Sequence, residues 1–176
     1  MKRMFTMLPA LVFALACAHT KSGPMAMAML TPISGSTAKG MVHFQELADG
    51  SVDVTADLQR VPPGVHGFHV HDKGDCSDNG NAAGGHFNPM NMQHAGPDAQ
   101  SHHAGDFGNV TADANGEVHA QFNTRAITVG PGPLSVVGRS IVLHANPDDL
   151  TTQPSGNSGP RISCGIITAM AGEMHH

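Results

Sequence analysis

Tryptophan and tyrosine are absent from the 176 residues, and phenylalanine numbers only 7. Aromatic rings therefore do little of the packing, and a core has to be assembled from Val, Ile, Leu, Met and Ala. Positive charge is also scarce, with 9 Lys+Arg against 14 Asp+Glu. There is no basic patch and no tract that interleaves aromatic with basic residues, which excludes nucleic acid as a partner. No long stretch shows the apolar spacing of a helix. Cysteine occurs only three times, too few for a disulfide-built scaffold.

What is present begins with "MKRMFTMLPALVFALACAHTKSG". Lys2 and Arg3 precede an apolar run from Met4 to Ala16, too short for a membrane-spanning helix and suited to the central region of an export signal. The alternative, a buried N-terminal helix, is opposed by Pro9 and by the polar sequence that follows. Residues 1–16 are expected to be a signal peptide on a protein exported from a bacterium. "FALAC" resembles a bacterial lipobox, with Ala14 where Leu is more usual. Cys17 is then expected to be lipidated and to anchor the chain to a membrane at the periplasmic side, with 17–24 as a tether. Ordinary cleavage to a soluble secreted protein is the competing reading. An odd cysteine in an exported protein asks for an explanation; if Cys76 and Cys164 pair, Cys17 is left over and lipidation accounts for it. Without Lys2 and Arg3 the chain carries 7 Lys+Arg against 14 Asp+Glu, a net charge near −7.

The remainder, 25–176, reads as one all-β domain. "AKGMVHFQEL" and "GSVDVTADLQ" flank the hairpin signal "ADG". "GVHGFHVH", "FGNVTADANGEVHAQF", "SVVGRSIVLHA" and "RISCGIITAM" supply further short strands, and "DANGE" is a second strong turn. Short strands at regular spacing point to a sandwich or barrel. Two long irregular segments, 72–105 and 146–160, are expected to be functional. "MAMAMLTP" alternates, placing Met25, Met27 and Met29 on one strand face. These thioethers suit copper(I), but the reading adopted is plain packing of that face, with Met as filler.

Thirteen histidines carry the chemistry. "GFHVH" sets His69 and His71 two residues apart, on the same face of an extended strand. "GGHFNPMNMQHAGPDAQSHHAGDFGN" adds His86, His94, His103 and Asp106 in a stretch too rich in Gly, Pro and Asn for a helix or strand. Three imidazoles and one carboxylate make a closed four-coordinate shell suited to structural zinc. His144 ends the strand "SIVLH". With His69, His71 and His86 it makes an all-imidazole set suited to copper or another late divalent metal.

"GFHVHDKGDC", "GGHFNP", "HHAGDFGNV", "GRSIVLHANPDDL" and "GPRISCGII" together resemble the copper/zinc superoxide dismutase family, from about Met25 to Ala171 and in the same motif order. The resemblance implies an eight-stranded Greek-key β-barrel. It implies one copper ion per subunit on His69, His71, His86 and His144, and one zinc ion on His86, His94, His103 and Asp106, with His86 bridging the two. Asp148 would link ligand histidines of the two sites, and Cys76 would pair with Cys164. Arg161 would stand beside the copper and attract an anion, and His86 would carry a proton. His103 rather than His102 matches the zinc ligand, and His66 matches a structural histidine. His43, His119, His175 and His176 match no family role.

The implied activity converts superoxide to dioxygen and hydrogen peroxide by alternating reduction and oxidation of histidine-bound copper. The alternative is a periplasmic copper/zinc buffer without turnover, against which Arg161 argues. A domain that has lost copper would lack copper histidines, and all four are present. The segment "LTTQPSGNSGP" before Arg161 departs from many eukaryotic members in having no charge, which implies a lower substrate on-rate. "SDNGNAAGG", between Cys76 and His86, is longer than in many of them at a dimer-forming position, so monomer and homodimer both stay open.

Overall fold

The computed structural model describes residues 23–171. The signal peptide, Cys17, His175 and His176 lie outside the described residues. The strands are β1 (Met25–Pro32), β2 (Lys39–Glu46), β3 (Val52–Gln59), β4 (Gly64–His71), β5 (Asp106–Ala112), β6 (Val118–Thr124), β7 (Ser140–His144), β8 (Arg161–Ile166) and a two-residue β9 (Thr168–Ala169); apolar residues alternate with polar ones most clearly in β3, whereas β7 is buried throughout. Helix among the described residues is limited to a short 3-10 piece, Asp78–Ala83. Eight strands follow the order β5-β4-β7-β8-β1-β2-β3-β6, and β9 joins β1. Every strand pairing is antiparallel. The result is the all-β, nearly closed Greek-key barrel that the sequence implied.

β1 turns the corner between two sheets. Met25 to Leu30 pair with β2, whereas Thr31 and Pro32 pair with Cys164 and Ser163 of β8. β5 and β6 do not pair with each other: β5 lies on β4 and β6 on β3. The "DANGE" turn between them therefore carries the chain from one sheet to the other. Its backbone closes through Gly116 N–H to the Asp113 carbonyl at 3.0 Å. Gly116 has φ +79°, and a Cβ there would come 2.6 Å from the Val61 carbonyl oxygen. Glycine alone meets both demands.

The core holds Ala26, Ala28 and Leu30 of β1, Val42 and Phe44 of β2, Val54 and Leu58 of β3, Phe68 and Val70 of β4, and Ile141 and Leu143 of β7. Each fully buried Val, Leu, Ile or Phe contributes about 1.5–3 kcal/mol. The reading of Met25, Met27 and Met29 as core filler is corrected here. These side chains face outward, Met29 with 63% exposure. Alternation declares two faces of a strand, but the opposing sheet decides which is covered. The long segment 72–105 is tied to β8 by the Cys76–Cys164 disulfide, with Cα atoms 5.8 Å apart.

Candidate metal centre

The strand period brings the first two histidines together: His69 and His71 lie on one side of β4, with ring centroids 6.5 Å apart. β7 runs beside β4, with His69 opposite Val142 and His71 opposite Ser140, so His144 at the end of β7 reaches the same place. Its ring stacks on that of His71 at 5.5 Å. The long segment is pinned to β4 by its backbone. Phe87 N–H donates to the Val70 carbonyl at 2.8 Å, and Val70 N–H to the Gly105 carbonyl at 3.0 Å. A Cβ on Gly105 would collide with the Val70 carbonyl. These bonds seat His86 beside His71. Asp106 is the first residue of β5 rather than part of the loop, and its register partner is His69. An irregular stretch thus buries His86, His94, His103 and Asp106 against the barrel wall.

Two donor sets result, each with its atoms within 4.8 Å of one another: His69, His71, His86 and His144, and His86, His94, His103 and Asp106. Every imidazole of the first set spends its outer nitrogen on a fixed acceptor. His69 Nε2–H donates to Asp148 Oδ2 at 2.8 Å. His71 Nδ1–H donates to the Gly84 carbonyl at 2.9 Å. His86 Nδ1–H donates to Asp106 Oδ1 at 2.7 Å, and His144 Nδ1–H to the Gly159 carbonyl at 3.1 Å. The inner nitrogens are left as lone pairs. His69 Nδ1 and His86 Nε2 are buried without any hydrogen-bond partner, and the Nε2 atoms of His71 and His144 face each other at 3.3 Å. Convergent buried lone pairs repel one another and are relieved by a cation, so the residues present fit a metal ion.

The second set is built around one carboxylate oxygen. Asp106 Oδ1 lies 2.7 Å from His86 Nδ1, 3.1 Å from His94 Nδ1 and 3.2 Å from His103 Nδ1. The His94 approach is off hydrogen-bond geometry, which leaves that nitrogen unpartnered. Three nitrogens and one oxygen fit tetrahedral zinc.

Burial holds His69 and His71 well below the usual histidine range, with repulsion from neighbouring His86 and His144 adding to it. Burial lowers His144 to about 4, against a bond to the Gly159 carbonyl that raises it. Burial pushes the Asp106 carboxyl up, but the His86 hydrogen bond and the charges of His86, His103 and His94 outweigh it and hold Asp106 low. His69, His71 and His144 are therefore neutral near pH 7. In the unfolded chain they titrate near 6.5, so the unfolded state binds more protons than the fold between about 6.5 and the lowered values. Stability of the metal-free protein, full above that range, is expected to fall as pH drops from about 6.5 toward 4. Thermal melts of metal-free, disulfide-intact protein at about pH 7.5 and 5 check this; equal midpoints would refute it.

Asp148 joins the two sets, accepting from His69 Nε2 through Oδ2 and from His94 Nε2 through Oδ1 at 3.0 Å. Its own backbone is clamped by Asn109, whose Oδ1 accepts from Asp148 N–H at 2.7 Å and whose Nδ2–H donates to the Asp148 carbonyl at 2.9 Å. Arg161, at the start of β8, directs Nη1–H to the Gly80 carbonyl and Nη2–H to the Gly84 carbonyl at 2.6 Å. It lines a cavity of about 590 Å³ with His71, His86 and His144.

Several supporting residues were not foreseen, Asn109 and Gly80 among them. Gly84 offers one carbonyl to both His71 and Arg161. Gln153 grips the His94 backbone, accepting from its N–H at 2.8 Å and donating to its carbonyl at 2.7 Å. Gly156 packs so tightly on Asp148 and His94 that a Cβ would collide with both. A carbonyl has no residue-specific signal, and Gln153 and Gly156 sit in the segment 146–160, expected to be functional although neither residue stands out by type or spacing.

The other histidines lie elsewhere. His66 spends Nδ1 on the His144 carbonyl and Nε2 on the Pro62 carbonyl, leaving nothing for a metal. His102 bonds to the His103 carbonyl, outside both sets. His119 is exposed and sits between Asp57 at 2.8 Å and Glu117 at 3.5 Å, which raise its pKa.

With this geometry in hand, comparison with known proteins is specific. The family model described as "Copper/zinc superoxide dismutase (SODC)" matches residues 38–167. An "Extracellular superoxide dismutase [Cu-Zn]" of Onchocerca volvulus is 38% identical over 159 residues, covering 85% of this chain and 78% of its own. Among solved structures, one titled "Crystal Structure Analysis of the clock protein EA4" superposes with a TM-score of 0.76 at 37% identity. It covers 83% of this chain and 94% of its own.

Proposed function

The chain belongs to the copper/zinc superoxide dismutase family, and from that footing we propose which of its residues hold each metal and handle the substrate. The protein is an oxidoreductase that converts superoxide to dioxygen and hydrogen peroxide and uses copper and zinc. His69, His71, His86 and His144 hold copper; His86, His94, His103 and Asp106 hold zinc. The observation that carries this is the pair of buried donor sets sharing His86, with inner nitrogens that have no protein partner. Bound copper supplies a centre that accepts and returns one electron, while zinc, without redox chemistry, supplies fixed charge.

The chain's own residues do the rest. His86 lines the cavity, and its Nε2 has no protein partner, so it is the atom that holds and releases a proton for the peroxide product. Asp148 keeps His69 and His94 in one tautomer and orientation, coupling the two sets mechanically. Arg161 is partly buried, and burial lowers its pKa, yet a guanidinium remains charged at any physiological pH. Its two carbonyl contacts aim that charge at the cavity wall, where it draws the anionic substrate. A metal buffer without turnover has no use for such a cation.

Export is proposed on the same terms, with residues 1–16 as signal peptide, 17–24 as tether on a lipidated Cys17, and 25–176 as the dismutase domain at the periplasmic side of a bacterial membrane. The disulfide supports an oxidising compartment, and the nematode relative is named extracellular.

The test compares wild type with Arg161→Ala, both oxidised and loaded with copper and zinc, for metal content and dismutation against ionic strength. Wild type is expected to hold one of each metal per chain and to lose rate as salt rises. The variant is expected to keep both metals, run about tenfold slower or more, and respond weakly to salt, since steering raises on-rates by about 10–10³ and superoxide dismutases are themselves a known example. Two bound metals without dismutation in wild type would overturn the enzyme reading; an unchanged variant would overturn the role of Arg161.

A further inference from the structure

We infer that Gln153 is a positioning residue for the zinc ligand His94 and that its side-chain amide sets how firmly zinc is retained, a role that rests on the zinc set proposed above and is played from outside it. Gln153 Oε1 accepts from His94 N–H at 2.8 Å, and Gln153 Nε2–H donates to the His94 carbonyl at 2.7 Å. One amide side chain thus exchanges two hydrogen bonds with one residue's main chain, as a facing residue in an antiparallel pair does. It does so across 59 residues of sequence.

The other ligands of the zinc set have no need of such a partner. His86 forms an antiparallel bridge with His71, and Asp106 belongs to β5. His103 is tied to Asp106 twice: its N–H donates to Asp106 Oδ2 at 2.9 Å, and its carbonyl accepts from Asp106 N–H at 3.1 Å. His94 lies in no strand. Among the described residues, its N–H and carbonyl have no partner other than Gln153. Yet His94 is only 2% exposed, so removing the amide leaves two main-chain groups shielded from water and unpaired, which is costly.

Gln153 is itself presented by a closed turn. Gly156 N–H bonds to the Thr152 carbonyl at 2.7 Å, and Asp149 N–H to the Gly156 carbonyl at 2.8 Å. Asp149 Oδ1 accepts from the N–H groups of Thr151 and Thr152 at 3.0 and 2.8 Å. The same segment carries Asp148, which accepts from His94 Nε2 at 3.0 Å. His94 is therefore gripped twice, its ring by Asp148 and its main chain by Gln153. A ring fixed at one nitrogen alone can pivot about that bond. With the main chain fixed as well, Nδ1 stays aimed at the zinc set, 3.1 Å from Asp106 Oδ1.

The experiment compares wild type with Gln153→Ala, Gln153→Glu and Thr152→Ala, all oxidised and loaded with copper and zinc. It follows zinc release into a chromogenic chelator together with copper content. Removing a partner outside the ligand shell costs about 10–100-fold in metal affinity, so Gln153→Ala is expected to release zinc at least about tenfold faster. Copper is expected to stay bound, because His94 is not in its donor set. Gln153→Glu keeps the acceptor for His94 N–H but loses the donor, and is expected to fall between. Thr152→Ala removes the bond from Thr152 Oγ1–H to Asp149 Oδ2 and loosens the same turn without touching His94, so its zinc release is expected to match wild type. Cobalt(II) placed in the zinc set reads the ligand geometry: its d–d bands are expected to shift in Gln153→Ala and not in Thr152→Ala. Zinc release at the wild-type rate from Gln153→Ala would overturn the role of Gln153 and leave the zinc set standing. Equal acceleration in Thr152→Ala would do the same, because loosening of the turn would then account for the loss. A wild type that binds no zinc would overturn the zinc set and the role of Gln153 together.

Discussion

Replacing His144 with alanine is expected to abolish copper binding and lower dismutation by more than about a hundredfold, because even partners outside the ligand shell cost 10–100-fold when removed. The zinc set is expected to stay intact. His144 contributes to one donor set only. Its ring contacts His71 and the Gly159 carbonyl and makes no bond to His94, His103 or Asp106. The three nitrogens around Asp106 Oδ1 therefore keep their positions, as does Asp148 between His69 and His94. His66, which bonds to the residue 144 carbonyl, is unaffected because that carbonyl is main chain. Metal analysis and dismutation on oxidised protein offered both ions check this together. Zinc near one per chain with copper lost is the expected pattern. Full activity in the variant would show the copper assignment to be wrong.

Removing the disulfide by Cys76→Ser with Cys164→Ser is expected to cost stability and rate at once. The bond closes a loop of 88 residues in sequence, and in the chain-entropy model such a loop is worth about 4–5 kcal/mol. For a domain of this size that is roughly 10–20 °C of melting temperature. Using serine at both positions avoids leaving a free thiol. The rate effect follows from what the tethered segment carries. Cys76 begins the stretch that includes Gly80 and Gly84, whose carbonyls hold Arg161, and the Gly84 carbonyl also fixes His71 Nδ1. Once released from β8, that stretch no longer holds the guanidinium in one place. Thermal melts of the metal-free variant and the salt dependence of dismutation in the loaded one are the two readouts. A melting point within a few degrees of wild type would count against the entropic account; an unchanged salt response would show that Arg161 is held without the disulfide.

Much of the site was legible because its pattern is local. A strand repeats every two residues, so "HVH" announces two imidazoles on one face before any fold is known. A loop of Gly, Pro and Asn that spaces His86, His94, His103 and Asp106 over 21 residues has no packing reason to choose those side chains. Residue type and spacing thus determined by themselves that this is an all-β chain with metal-ligating chemistry. Family resemblance added the pairing of Cys76 with Cys164, which three cysteines could not decide alone.

Tertiary structure alone decided what depends on contacts distant in sequence. Resemblance had named Asp148 as the link, but nothing in residue type or spacing did: it reaches His69 across 79 residues and His94 across 54, and the packing of 146–160 onto the long loop is the physical reason it lies between them. The carbonyls of Gly80 and Gly84 and the fit of Gly156 against Asp148 leave no trace in residue chemistry, since main-chain atoms are common to all residues. The methionines of β1 show the limit most plainly. Alternation separated Met25, Met27 and Met29 from Ala26, Ala28 and Leu30, but both sets are apolar enough to face a core. The opposing sheet buried the alanines and left Met29 exposed and Met25 and Met27 only partly covered.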